Sequence, residues 1–143
     1  MKTTDDPIVF ERTYPKPLAK VWTAISYLPE MHKWYFPEIP AFEARVGFKT
    51  QFNIQAPSQD FLHLWEVLEV VAETKLVYQW TFKDVVGCST TTWELAETKE
   101  GTLLTLTNDV LEDFPDDIPE FTIESCKGGW DYFINERLAD YLK

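Results

Sequence analysis

The stretch Ile123–Leu142, IESCKGGWDYFINERLADYL, decides the fold. Its apolar residues Ile123, Cys126, Trp130, Phe133, Ile134, Leu138, Tyr141 and Leu142 recur at helical spacing and form one stripe along a long helix. A lone helix cannot bury such a stripe, so a second layer must face it. Gly128 and Gly129 interrupt the stripe, where each costs roughly 1 kcal/mol against alanine. They mark a bend or a close approach of the helix to that layer.

The second layer is written upstream. Period-2 patterns predict strands at Ile8–Tyr14, Phe42–Arg45, Phe48–Gln55, Leu62–Val71, Leu76–Phe82, Ser89–Glu97 and Thr102–Val110. Short polar turns separate the later strands, as in an antiparallel meander with one buried face. In Leu62–Val71 the residues Leu62, Leu64, Leu68 and Val70 fall in phase, with Glu66 interrupting them. In Leu76–Phe82 the side chains of Leu76, Tyr78, Trp80 and Phe82 share a face. Pro15 and Pro17 stop the first strand, and Pro17 also suits a helix start. Leu18, Val21, Trp22 and Ile25 then make one helical face that Pro29 ends. The segment Leu28–Pro40 reads as a short helical turn and an ordered loop, and Asp113–Pro119 as an acidic loop. The sum is an α+β chain: a curved antiparallel sheet of six to seven strands wrapped around a C-terminal helix, with one or two short helices after the first strand. Such a sheet splays from its helix at one end and leaves an internal cavity.

Composition narrows the function. The chain has 143 residues, which suits one domain over 1–143. Its 24 acidic and 13 basic residues give a formal charge of −11, which repels phosphate backbones and anionic membranes. Neither nucleic acid nor membrane insertion is expected as a partner. The polar N-terminal residues carry no targeting signal, and no stretch approaches the ~20 apolar residues of a membrane span. Cys88 and Cys126 lack a metal-binding spacing and fit a reducing cytoplasm. The aromatic load is high, with 6 Trp, 6 Tyr and 10 Phe. Such rings either fill a core or form the flat walls of a ligand site.

Three segments carry a family resemblance. One is Pro17-Leu18-Ala19-Lys20-Val21-Trp22-Thr23-Ala24-Ile25, followed by Trp34 in the next helical turn. The second is Trp65-Glu66-Val67-Leu68-Glu69-Val70, with Lys75-Leu76-Val77-Tyr78-Gln79-Trp80 after a short turn. The third is Gly128-Gly129-Trp130 leading into Leu138. Together they resemble the START-like (SRPBCC) superfamily, and within it the C-terminal domain of activators of the heat-shock protein 90 ATPase. The resemblance implies a helix-grip fold with a hydrophobic cavity between sheet and helix. It leaves the ligand open, because the superfamily hosts lipid carriers, hormone binders, cyclases and chaperone cofactors.

The candidate ligand-binding residues are therefore Trp34, Trp65, Tyr78, Trp80, Phe82, Trp93, Trp130, Phe133, Ile134 and Arg137. Tyr78, Trp80, Phe82 and Trp93 are expected as the cavity floor. Trp130, Phe133 and Ile134 are expected as its helical cover, and Met31, Trp34 and Phe36 as its entrance. Arg137 either fixes a polar group of a ligand or packs its stem at the rim. No catalytic residue, cofactor or metal is assigned: His32 and His63 lack partners at ligand spacing, and no nucleophile motif is present. The leading expectation is a binder of a small apolar or aromatic molecule. The rivals are a chaperone-contacting module and a cavity enzyme of cyclase or hydrolase type using Glu66, His63 or Arg137. Glu66 is either solvent-facing or an acid held in an apolar pocket.

Overall fold

Six antiparallel strands form one sheet in the computed structural model, which describes residues 1–143. They are β1 (Ile8–Tyr14), β2 (Lys49–Gln55), β3 (Asp60–Val71), β4 (Lys75–Phe82), β5 (Val85–Thr98) and β6 (Gly101–Glu112), in spatial order β1-β6-β5-β4-β3-β2. Helices α1 (Leu18–Ser26) and α2 (Leu28–Trp34) follow β1. The closing helix α3 has three parts: an α-helical start at Ile123–Asp131, a π-helical stretch at Tyr132–Arg137 and a last α-turn at Leu138–Tyr141. This is the α+β arrangement of curved sheet and closing helix that the period-2 and helical patterns predict, and the helix-grip fold that the resemblance implies.

One face of the sheet is buried. It presents Phe61, His63, Trp65 and Val67 from β3 and Leu76, Tyr78 and Trp80 from β4. Thr91, Trp93 and Leu95 come from β5, and Leu104 and Leu106 from β6. On α3, Thr122 caps the first turn by accepting the Ser125 N–H at 3.2 Å. Trp130, Ile134, Leu138 and Leu142 then face the sheet. The Tyr14 hydroxyl of β1 donates to the Ile134 carbonyl at 2.7 Å, inside the π-helical stretch. There the Leu138 N–H reaches the Phe133 carbonyl, one residue further back than an α-helix would take it.

Three expectations need correction. Phe42–Arg45 is not a strand: the Arg45 N–H closes a tight turn on the Glu43 carbonyl, and Phe42 is buried beneath it beside Trp65. In β3 the buried residues are the odd-numbered set from Phe61 to Val67, so Leu62, Leu64 and Glu66 lie on the outer face. The cause is a break in the β3–β4 register between Val67 and Glu69. Across such a break the side chains before and after it change faces. Finally, the glycines of α3 do not serve a close approach, because a Cβ at either one would meet nothing within 4 Å.

Candidate binding cavity

The sheet places its chemistry through cross-strand rungs. His63 stands opposite Phe52 of β2 and Phe82 of β4, and Trp65 stands opposite Trp80. His63 and Trp80 are therefore diagonal neighbours, a separation that long aromatic side chains span. The Trp80 Nε1–H donates to His63 Nδ1 at 3.0 Å. The imidazole lies parallel to the Phe52 ring at 4.9 Å and meets the edge of Phe82 at 4.7 Å. Burial without a charged partner lowers the His63 pKa to about 4.

His63, Trp80 and Phe82 form one wall of a cavity of about 310 Å³ between the sheet and α3. Trp80, Phe82 and His63 line the sheet side, and Cys126, Trp130 and Phe133 the helix side. The far wall is a separate cluster of three buried rings, Phe61, Phe114 and Phe121. Phe114 seats there because Gly87, at φ +123°, has no Cβ to collide with its ring. Phe36, from the loop after α2, closes the near side against Phe52, His63 and Phe133. Gly129 and Ser125 are exposed and border the opening.

The polar groups on this wall are few. Asn108 donates to the Thr90 carbonyl at 3.4 Å and accepts from Cys126 Sγ at 3.8 Å. Ser89 Oγ donates to the Trp80 carbonyl at 3.4 Å. Glu120 at the rim is held by the Ser58 hydroxyl and backbone N–H. Burial pushes the Cys126 thiol up to about 11, so it is no ready nucleophile. No group of three or more His, Cys, Asp or Glu side chains is placed to hold a metal.

The structure divides the candidate residues. Trp80, Phe82, Trp130 and Phe133 line the cavity. Trp34, Trp65, Tyr78, Trp93 and Ile134 are buried in the packed core beside it. There the Trp93 Nε1–H donates to the Tyr78 oxygen at 3.1 Å, and the Tyr78 and Tyr35 hydroxyls share a 2.9 Å hydrogen bond. Arg137 lies outside: its guanidinium donates to the Lys33 carbonyl at 3.1 Å and to the Trp34 carbonyl at 3.5 Å. It thus caps the end of α2 and ties it to α3. Glu66 is on the outer face, so it is not an acid of the cavity. Of the entrance residues, Phe36 lines the cavity, whereas Met31 and Trp34 are core. Phe61, Phe114 and Phe121 escaped the sequence reading. For Phe114 and Phe121 the signal was the set of apolar residues Phe114, Ile118 and Phe121 inside an acidic, proline-bearing segment.

Residues 15–143 match the family model described as Activator of Hsp90 ATPase homolog 1-like protein, and the chain belongs to that family. Solved structures of the same fold include a protein from Chromobacterium violaceum at 26% identity, covering 95% of this chain and 96% of that one, with a TM-score of 0.78. A Mesorhizobium loti protein is 26% identical over 96% of both chains, with a TM-score of 0.74. DynU16, described as a protein in the dynemicin biosynthetic locus, is 25% identical over 96% of this chain and 47% of its own, with a TM-score of 0.76. Among curated proteins none matches the chain. No helix is long and apolar enough to cross a membrane.

Proposed function

We propose that this protein binds a small apolar or aromatic molecule in the cavity between the sheet and α3. The observation that carries the reading is the cavity itself: about 310 Å³, open at one side and lined mostly by apolar side chains, beside a large buried aromatic core. That volume lies at the small end of ligand pockets, which span ~300–1,000 Å³. One or two fused rings fit it better than a long acyl chain. The likeness to a protein of a biosynthetic locus supports the same direction. His63 is a poor general base, because burial makes it weakly basic and its one free lone pair, on Nδ1, accepts from Trp80. Native mass spectrometry of gently purified protein tests the reading. A retained mass of a few hundred daltons, displaced by small aromatic compounds, is expected. A chain that stays empty across cell extracts and an aromatic and lipid panel would sink it.

A second reading, contact with a chaperone of the heat-shock protein 90 type, draws on the family description and on the charge of −11. An unchanged chaperone ATPase rate on adding the purified protein would remove it.

A further inference from the structure

Each ring nitrogen of His63 has a distinct job. An indole N–H can only donate, so the 3.0 Å contact from Trp80 requires His63 Nδ1 to be the acceptor. In a neutral imidazole the proton then sits on Nε2. That nitrogen has no protein partner, while His63 is buried and lines the cavity. The other polar groups deep in the wall are engaged: Asn108 at both ends of its amide, and Ser89 on the Trp80 carbonyl. The ring itself is fixed between Phe52, Phe82 and Phe36. The Met1 ammonium, also on the lining, donates to the Phe121 carbonyl at 2.8 Å at the far wall. On the sheet side, His63 is thus the polar side chain left with a free donor among aromatic faces.

Resting on the ligand-binding reading above, we infer that the ligand is a flat aromatic compound carrying a hydrogen-bond acceptor, a carbonyl or ether oxygen, which receives the Nε2–H of His63. Trp80 acts as the positioning residue, since it sets the tautomer. A plain hydrocarbon leaves this buried donor unpaired and is disfavoured. The discrimination expected from one such bond in an apolar site is about tenfold.

A matched pair of probes tests this: 2-acetonaphthone and 2-isopropenylnaphthalene, which differ by C=O against C=CH₂. Isothermal titration of wild type is expected to favour the ketone about tenfold. His63→Phe should bind the two equally, and His63→Gln, which keeps both an acceptor for Trp80 and a donor, should restore part of the preference. Should either variant fail to fold, ¹⁵N NMR of the wild-type histidine reads the tautomer directly. A proton on Nδ1 would overturn the inference. Equal binding of both probes by wild type would also overturn it, while leaving the cavity a ligand site. Binding of neither probe would count against the ligand-binding reading itself, and this inference would fall with it.

Discussion

Trp93 and Trp80 stand on neighbouring strands of one sheet face, yet they meet different company. Trp93 is 1% exposed and packs edge-on to Trp34, Tyr35 and Trp130. Its N–H goes to the Tyr78 phenol, which bonds Tyr35 in turn. Trp80 borders the cavity, and its N–H goes to an imidazole. In the first network every polar atom has a partner among the core rings. The second leaves a nitrogen over, in contact with space. Aromatic content alone does not separate these cases; what each indole N–H is given as an acceptor does.

The largest expected effect lies at the packed end. Trp93→Ala removes a ring with no room to collapse around it and takes one of the two hydrogen bonds from the Tyr78 hydroxyl, so a loss of about 3–5 kcal/mol is expected from denaturant unfolding. A loss below about 1 kcal/mol would erase the contrast between the two ends.

The next effect belongs to His63. Its folded pKa of about 4 lies below the ordinary 6.5, so the unfolded chain takes up the proton first. Its contribution is full above pH 6.5 and declines as pH falls towards 4. Wild type should therefore lose more stability than His63→Phe across that window, by on the order of 3 kcal/mol at its acid end. Parallel pH curves for the two proteins would show that the ring is solvated.

Phe121→Ala, at the far wall of the cavity, should cost about 2–3 kcal/mol, less than Trp93→Ala, because the ring borders space already. The same variant should weaken any retained ligand in native mass spectrometry. Equal costs at both ends would mean that the cavity wall is as tightly supported as the core. Smallest is Gly129→Ala. A methyl there meets nothing within 4 Å, so the usual helical gain of about 0.5–1 kcal/mol is expected in thermal unfolding. A destabilised variant would show that the helix needs glycine for its backbone.

The overall fold was legible because it rests on two periods, 2 in the strands and 3.6 in α3, and both survive in this sequence. The inner face of β3 was not. Counting from the pair Val71↔Lys75, an unbroken ladder sets Glu66 opposite Trp80 and Leu64 opposite Phe82, with Glu66 inside. The register break near Leu68 moves the pairing by one, so that Trp65 faces Trp80 and His63 faces Phe82. One extra residue thus exchanges an acid for an imidazole in the cavity, and no propensity marks it. Arg137 was ambiguous for another reason. It follows Ile134 by three residues on the stripe side, and only the position of the α2 carbonyls shows where its guanidinium goes. The Phe114–Phe121 wall was hidden because polar neighbours mask a loop whose apolar residues follow no regular period.

The wide turn in α3 has a consequence of its own. Between Trp130, against the sheet, and Leu138, buried near the C-terminus, the backbone carries more residues than its hydrogen bonds need for that length. Tightening this joint by one residue would rotate everything before it by about 100° about the helix axis. Trp130 and Cys126 would swing off the cavity while Leu138 and Leu142 stayed anchored. The wide turn thus sets the angle between the part of the helix that covers the cavity and the part that fastens it.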